Sequence, residues 1–171
     1  MAGGKILVVS DTHGRSDLLG AVINRETAFD ALVHCGDGVT DIFSVGIPQN
    51  VSVLKVMGNV DAARGLDMER IFVSDIFGER ILVLHGDMHR AKQTLEDIMA
   101  TAMQINARRV FFGHTHIPFF SEMENITLFN PGALKQGSYG VISVENGKWQ
   151  YALRAISTVS DDVFSSETFA S

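Results

Sequence analysis

The sequence is poor in cysteine and lacks long apolar runs, and both shortages narrow the class of protein. Its 171 residues include a single cysteine, Cys35, which excludes an internal disulfide and favours a reducing compartment. No apolar stretch approaches the roughly 20 residues of a membrane span. The segment that follows Met1 lacks the apolar region of a signal peptide. We therefore expect a cytoplasmic protein that has no membrane partner.

Positive charge is also in short supply. The chain has 14 Lys and Arg residues against 20 Asp and Glu residues, which gives a formal net charge of −6. Nucleic-acid binding relies on a basic surface, so we expect no nucleic-acid groove. A phosphate group would have to be attracted locally, and bound cations are one source of such attraction.

The length and composition are those of one globular domain. The apolar fraction of 46% and the charged fraction of 20% are ordinary for a soluble domain, and 171 residues can bury a sizeable core. We predict a single domain over residues 1–156. Residues 157–171 are rich in Ser, Thr and Asp and show no periodicity, so we predict a mobile C-terminal tail there.

Two short motifs carry pairs of side chains that commonly bind metal ions. Asp11 and His13 are two residues apart near the start of the chain, and His114 and His116 have the same spacing near residue 115. In an extended segment, residues i and i+2 point to the same side, so each pair is expected to aim at one point. The two pairs therefore predict a metal site that the fold assembles.

Five short apolar runs each lead to a residue of this kind. Such runs, bounded by Gly and polar residues, are typical of buried strands. In open α/β sheets, ligands bind beyond the carboxyl ends of the strands. The residues that follow the five runs are Asp11, Asp37, Asn59, His85 and His114. The recurrence predicts five strands that deliver ligands to one site.

The order of the predicted elements indicates the fold class. Strands over residues 5–10, 30–34 and 51–56 alternate with a helix that Ser16 would cap and with a short helix over residues 41–45. This β-α-β-(α)-β order implies a parallel sheet with helical crossovers.

The second half of the chain predicts hairpins and one longer helix. Turn signals at Gly78-Glu79, Glu124-Asn125 and Asn146-Gly147 each separate two apolar runs. Residues 91–105 show the apolar spacing of an amphipathic helix, and residues 109–112 form another strand. We therefore predict an α/β (α+β) fold, a four-layer β-sandwich of two mixed sheets flanked by helices.

The candidate ligands are too many for one four-coordinate ion and suit two ions about 3.5–4 Å apart. The set comprises Asp11, His13, Asp37, Asn59, His85, His114 and His116. Nitrogen and oxygen donors without thiolate favour transition metals over Mg²⁺ or Ca²⁺. We expect two divalent ions, most readily Mn²⁺, with Ni²⁺, Fe²⁺, Co²⁺ and Zn²⁺ as alternatives. Asp37 is the natural bridging carboxylate, and a water shared by both ions would become the nucleophile.

The motifs together resemble those of the calcineurin-like metallophosphoesterases, and more closely those of the YfcE-like small phosphodiesterase group. The matching segments, in the family's order, are Asp11-Thr12-His13-Gly14, Gly36-Asp37, Gly58-Asn59-Val60-Asp61, His85-Gly86, Gly113-His114-Thr115-His116 and Asn130-Pro131-Gly132. The resemblance extends over nearly the whole predicted domain. It implies a β-sandwich of mixed sheets, and hydrolysis of a phosphoester by in-line attack of a metal-bridging hydroxide.

The same resemblance implies how the residues divide their work. The first metal would be held by Asp11, His13, Asp37 and His116, and the second by Asp37, Asn59, His85 and His114. We take Asp37, Asn59 and His114 as the candidate catalytic residues. Asn59, Arg15 and Lys135 are candidate substrate contacts, although Arg15 is as easily explained as a solvated loop residue.

Two departures from the family pattern bear on the reaction. Many relatives have His directly after the metal-binding Asn, where it can protonate the leaving group, whereas this chain has Val60. Asp61 stands where an acidic residue would orient that His. The absence of the acid favours phosphodiesters and aryl esters over alkyl monoesters. Relatives also commonly carry Ser and then Arg after the Asn-Pro-Gly segment, and here Lys135 would meet a phosphate without the bidentate geometry of Arg.

Three further hypotheses stay open at this point. The protein could be a phosphomonoesterase that acts on a small phosphorylated metabolite. It could instead be a non-catalytic scaffold of the same fold, as the retromer subunit of the superfamily is. The predicted hairpin over residues 118–129 could also form an interface, so we expect a homo-oligomer. The small phosphoester substrate itself is not identified by the sequence.

Overall fold

Residues 3–159 are described by a computed structural model of the chain, and they contain ten strands in two sheets. Most of the predicted tail at residues 157–171 lies outside the described residues. The strands are β1 (Gly4–Val9), β2 (Ala31–His34), β3 (Ser52–Lys55), β4 (Ile71–Ile76), β5 (Glu79–Leu84), β6 (Arg109–Phe111), β7 (Phe119–Met123), β8 (Ile126–Asn130), β9 (Ser138–Glu145) and β10 (Lys148–Ala155).

Each sheet has five strands and mixed direction. The first sheet has the order β10-β9-β1-β2-β3, and the second has the order β4-β5-β6-β8-β7. Strands β1, β2 and β3 are parallel, as the first half of the sequence predicts. The second sheet contains a parallel set as well, β5, β6 and β8. The hairpin signals could not reveal this set, because parallel pairing depends on crossovers that bring distant segments together.

The helices are α1 (Ser16–Arg25), α2 (Asn59–Ala63) and α3 (Glu96–Gln104), with 3-10 turns at Val39–Ser44 and Leu134–Gln136. Ser16 is the first residue of α1 rather than its cap, and the capping position falls on Arg15 without a side-chain bond. The predicted helix over residues 91–105 is shorter than expected. The Thr94 hydroxyl accepts a hydrogen bond from the Glu96 amide, and the helix begins there. No helix among residues 3–159 has the length and apolarity to cross a membrane.

Alternate side chains of the central strands enter different layers. On β1, Ile6 and Val8 pack between the sheets, whereas Leu7 and Val9 pack against the α1 side. On the second sheet, Ile81 belongs to the layer between the sheets, and neighbouring side chains of β5 pack against α3. The order is therefore helix, sheet, sheet and helix, which confirms the predicted four-layer fold.

All three predicted hairpins are present, with turns at one edge of the molecule. Strand pairing shows β4 with β5, β7 with β8 and β9 with β10, each antiparallel. The turn residues with positive φ are Phe77-Gly78, Glu124-Asn125 and Asn146-Gly147. The first turn thus lies one residue earlier than the Gly78-Glu79 prediction. We call these three pairs the turn edge, and it lies opposite the carboxyl ends of β1, β5 and β6.

Candidate metal centre

The loops that follow β1, β2, β3, β5 and β6 meet at the edge where both sheets present the carboxyl ends of parallel strands. These loops carry the five residues that the apolar runs predict, Asp11, Asp37, Asn59, His85 and His114. We call residues 11–13, 36–38, 58–61, 85–86 and 113–116 the ligand edge. Side chains of the first sheet's loops contact those of the second sheet's loops across it.

One group of ligand atoms joins the two ends of the sequence. His116 Nε2 lies 3.0 Å from Asp11 Oδ1, and His13 Nε2 lies 3.7 Å from the same oxygen. The His13 and His116 rings are edge to face, with centroids 5.5 Å apart. The ligand atoms of all three residues lie within 4.8 Å of one another. This spacing suits a single ion between them.

A second group shares Asp11 with the first and adds Asp37 and His85. Their ligand atoms also lie within 4.8 Å of one another. His85 Nε2 is 3.3 Å from Asp37 Oδ2, and His13 Nε2 is 3.8 Å from that oxygen. The two carboxylates therefore stand between two sets of imidazoles. Asp11 is the residue common to both groups, whereas the sequence alone predicts Asp37 as the shared carboxylate.

The donor set passes a chemical test for metal binding. Asp11 Oδ1, His13 Nε2 and His85 Nε2 are buried and have no hydrogen-bond partner among the described residues. A buried polar atom left unpaired costs about 1–3 kcal/mol, so three at one point call for a shared cation. The opposite nitrogen of His85 donates to the Cys35 carbonyl over 2.7 Å, which leaves the Nε2 lone pair free to bind an ion.

Comparison with known proteins settles the family. The family model of the calcineurin-like phosphoesterase superfamily domain matches residues 5–147. The chain belongs to this superfamily. Its sequence is 30% identical over 148 residues to the probable metallophosphoesterase YsnB of Bacillus subtilis, a match that covers 82% of this chain and 85% of the relative. The resemblance stated from the motifs is confirmed, and divalent metal ions are the cofactors of this family.

Solved structures with this fold have different descriptions. A predicted phosphoesterase from Streptococcus pneumoniae has a TM-score of 0.73, 22% identity and 91% coverage of both chains. Vacuolar Protein Sorting 29 from Cryptosporidium parvum has a TM-score of 0.67, 16% identity and coverage of 91% of this chain and 98% of that one. An archaeal phosphodiesterase has a TM-score of 0.63, 18% identity and coverage of 88% and 99%. At these identities the likeness shows the fold.

The ligands of this metallophosphoesterase converge through turns and not through extended segments. Five of them have positive φ, between 47° and 67°: Asp11, His13, Asp37, His114 and His116. The expectation of an extended i, i+2 geometry is therefore wrong. The left-handed region costs a residue other than Gly of order 1–3 kcal/mol in strain. Long-range bonds hold these turns, since the Asp11 amide donates to the Gly36 carbonyl and the His13 amide to the Asp37 carbonyl.

Asp61 has a different task from the one its position suggested. Its buried carboxylate accepts hydrogen bonds from the amides of Asp37 and Gly38, both 2.8 Å, and of Gly58, 3.0 Å. It thus ties the β2 and β3 loops together. The amide of Val60 donates to Asp37 Oδ1 over 2.8 Å. An acidic residue at 61 therefore orients the Asp37 loop directly, with no His beside it.

His34 joins the β1 and β2 loops behind the ligands. It is fully buried, and its Nδ1 accepts from the Gly36 amide over 3.1 Å, so the proton sits on Nε2. That nitrogen donates to Thr12 Oγ1 over 3.2 Å, and Thr12 donates to the Gly38 carbonyl over 2.9 Å. Burial lowers the pKa of His34 to about 4, partly offset by Asp61. His34 therefore acts as a neutral spacer between two ligand loops.

His114 and Asn59 occupy the margin of the two groups. The His114 ring lies 5.0 Å from the His85 ring, and its amide donates to Asp11 Oδ2 over 3.1 Å. Asn59 is exposed and is the first residue of α2, a helix that the sequence did not predict. His114 belongs to neither tight group of ligand atoms, and Asn59 stands next to Val60, whose amide binds Asp37.

The environment shifts the pKa values of the ligands in different directions. Burial pushes the pKa of Asp37 upward, but the adjacent His85 imidazole, the Val60 amide and the His13 imidazole outweigh it and lower the pKa to about 2. Burial and then the charge of Lys135 lower the pKa of His13. Burial, His85 and Lys92 likewise lower the pKa of His114. Burial alone would lower the pKa of His85, but the Asp37 and Asp11 carboxylates raise it. An ionised carboxylate and neutral imidazoles are the forms that bind cations, so His85 would give up its proton more readily once an ion is bound.

The two candidate basic contacts differ in how they are held. The Arg15 guanidinium binds the Asp17 carboxylate at 2.8 Å and the Thr158 carbonyl at 3.1 Å. Lys135 follows Leu134 in a turn whose amides donate to the Ser10 and Asp11 carbonyls. Lys135 is thus anchored to the ligand loop, and its charge reaches His13.

Two supporting residues had only weak signals in the sequence. Ser10 Oγ donates to Asp11 Oδ2 over 2.6 Å and fixes that carboxylate. Asn130 Nδ2 donates to the Gly113 carbonyl over 2.9 Å and to Thr115 Oγ1 over 3.1 Å. Asn130 therefore holds the turn that bears His114 and His116. The Asn-Pro-Gly segment marked it as part of a family loop without indicating this role.

Proposed function

We propose that the protein is a phosphodiesterase that depends on two divalent metal ions. The observation that carries the proposal is the pair of overlapping ligand groups, which share Asp11 and contain three buried atoms that find no hydrogen-bond partner within residues 3–159. Membership of a phosphoesterase superfamily supplies the reaction class. When bound, the two ions would supply Lewis-acid stabilisation of the phosphoryl oxygens and a water of lowered pKa.

The residues of the chain divide the remaining work. Asp11, His13, Asp37 and His116 would hold the first ion, and Asp37, Asn59, His85 and His114 would hold the second. Lys135 would attract and orient the anionic phosphate, because its turn is bonded to the Ser10 and Asp11 carbonyls beside the ligands. Asn59 is exposed beside the Asp37 loop, where it can contact a substrate oxygen.

The preference for a diester follows from Val60. Its amide is occupied by Asp37, and its side chain has no proton to give. An alkyl monoester needs its leaving oxygen protonated, whereas an aryl ester leaves as a stabilised anion. We therefore propose phosphodiesters with good leaving groups as substrates, and Mn²⁺ as the ion that supports turnover best.

The experiment compares a nitrophenyl phosphodiester with the matching monoester. Metal-stripped protein would be assayed alone and with Mn²⁺, Ni²⁺, Co²⁺, Fe²⁺ or Zn²⁺. We expect turnover only with metal, and faster turnover of the diester. Asp37→Ala should abolish activity, whereas Asp75→Ala, an exposed carboxylate on β4, should leave it unchanged. Full activity in Asp37→Ala would refute the proposal, and faster hydrolysis of the monoester would indicate a phosphomonoesterase.

A non-catalytic scaffold is the second candidate. The likeness to Vacuolar Protein Sorting 29, whose name places it in protein sorting, and the missing acid at Val60 favour it. Protein that holds metal, keeps its fold and hydrolyses neither ester with any of the five ions would support the scaffold and exclude the enzyme.

A further inference from the structure

A pocket of about 340 Å³ lies beside the metal centre, outside both ligand groups. The loop after β5, residues 91–95, forms one wall, and the segment from β6 to β7 forms the other. Its apolar lining includes Leu95, Phe112, Ile117 and Phe119. The volume is at the lower end of the range for small-molecule sites. It has room for one ring system and not for a helix, which is about 10 Å across.

The pocket and the metal centre share a wall. Thr115 lines the pocket and stands between His114 and His116. Its hydroxyl accepts from Asn130, so the turn that separates the two spaces is fixed. Ala91, on the other wall, packs close to the same turn, because a Cβ built on Gly86 would lie 3.0 Å from Ala91 Cβ and 3.7 Å from His114 Cβ.

The chemistry of the lining restricts what can bind. Lys92 is the one charged residue in the lining, and it is exposed at the rim. Inside, Phe112 and Phe119 are edge to face with centroids 6.2 Å apart. An occupant would thus have an uncharged, flat body and an anionic end directed at the metal centre.

We propose that this pocket receives the aromatic ring of one ester group of the substrate, so that the substrate is an aryl or nucleoside phosphodiester. The inference rests on the proposed function for the position of the phosphate. The ring would pack against Phe119 and Ile117, and Lys92 would attract the phosphate from the rim. A subsite of this kind selects ring-bearing esters over small alkyl esters through buried apolar area.

The test measures binding, so it does not depend on turnover. Benzylphosphonate and ethylphosphonate both carry a methylene in place of the ester oxygen and cannot be hydrolysed at that position. Calorimetry with Mn²⁺-loaded protein would give the affinity for each. We expect wild-type protein to bind benzylphosphonate about tenfold more tightly, which corresponds to about 1.4 kcal/mol.

Variants of the pocket residues test whether the preference for benzylphosphonate arises in this pocket. Ile117 is 68% exposed, so Ile117→Ala should fold normally and should reduce the preference for the ring. Phe119→Ala should remove most of it. Leu153→Ala is the matched control, since Leu153 is 46% exposed on β10 of the other sheet, and it should keep the full preference.

The outcomes separate this inference from the proposed function. Equal affinity for the two phosphonates, or a preference that survives both pocket variants, would overturn the subsite even if diesters are hydrolysed. A preference that the pocket variants remove, in protein that hydrolyses no diester, would support the subsite and overturn the catalytic proposal. Failure to bind either phosphonate in the presence of Mn²⁺ would overturn the subsite, and hydrolysis of the nitrophenyl diester would still decide the proposed function.

Discussion

The ligand edge and the turn edge both contain residues with positive φ, but different interactions hold these residues in the left-handed conformation at the two edges. At the turn edge, pairs such as Asn146-Gly147 adopt φ of 51° and 76° within a two-residue hairpin turn. At the ligand edge, Asp37 adopts 57° in a loop held by Asp61, which is 24 residues away. One edge depends on neighbours in sequence and the other on distant side chains. Strain at the ligand edge is therefore a property of the whole fold.

We expect the largest loss of stability at the ligand edge when the carboxylate of Asp61 is removed. Asp61→Ala leaves three buried amides without acceptors, and we expect a loss of about 4 kcal/mol in the free energy of unfolding, because charge-assisted hydrogen bonds are the strong ones. Urea denaturation would measure it. Asp75→Ala should cost little, since Asp75 is an exposed partner of Arg80. A loss below about 1 kcal/mol in the free energy of unfolding of Asp61→Ala would mean that the β2 and β3 loops keep their conformation without this carboxylate.

The buried imidazole of His34 should make the stability of the protein depend on pH. Its pKa falls from 6.5 to about 4 on folding, so the unfolded chain takes up a proton that the folded chain refuses. Stability should therefore fall as the pH drops from 6.5 to 4, by about 3 kcal/mol from this residue. Urea titrations of His34→Gln at pH 7 and pH 4.5 should show a smaller drop than wild type.

His89→Gln provides the reference for that measurement. His89 is half-buried outside the metal centre, and this variant removes an imidazole without touching the ligand loops. It should keep most of the wild-type drop in stability between pH 7 and pH 4.5. Identical pH dependence in His34→Gln and wild type would contradict the role given to His34.

Metal binding should stabilise only through the ligand edge. With Mn²⁺ at 100 times its Kd, the gain in the free energy of unfolding should be about 2.7 kcal/mol. Asp11→Ala should abolish the gain, because Asp11 belongs to both ligand groups. Thermal melts with and without Mn²⁺, with Asp75→Ala as control, would show this. If Mn²⁺ raised the melting temperature of Asp11→Ala as much as that of wild type, the ion would bind at a different site.

The turn edge should show the smallest effect. Asn146→Ala keeps a Cβ in the left-handed region but removes the side-chain amide that lets Asn tolerate it, at a cost of about 1 kcal/mol, whereas Asn146→Gly should cost nothing. Urea denaturation of the two variants would measure the difference. A cost in Asn146→Ala as large as that of Asp61→Ala would erase the distinction between the edges.

The same contrast explains which features were predictable. The Asn146-Gly147 hairpin depends on two adjacent residues, so the sequence predicts it correctly. The alternation of Leu7 and Val8 between two layers follows from strand periodicity. The motifs also name all seven candidate ligands, and the structure brings five of them within contact distances.

What the sequence could not predict depends on distant contacts. The role of Asp61 requires knowing that the loops at residues 36–38 and 58 touch. The left-handed conformation of Asp11 depends on its amide bond to Gly36. Local propensity carries no information on such pairs, so the extended geometry assumed for Asp11 and His13 was wrong although the convergence of their side chains was right.

The single cysteine of the sequence can report on local unfolding around the metal centre. Cys35 is fully buried between the sheets, and burial raises the pKa of its thiol well above the usual value. Its carbonyl holds His85, so the residue adjoins the metal centre without offering sulfur to it. A thiol reagent can react only when the β2 loop leaves the core. The rate at which a thiol reagent labels the cysteine therefore measures how often the metal centre opens in the wild-type protein. Bound metal should slow this labelling.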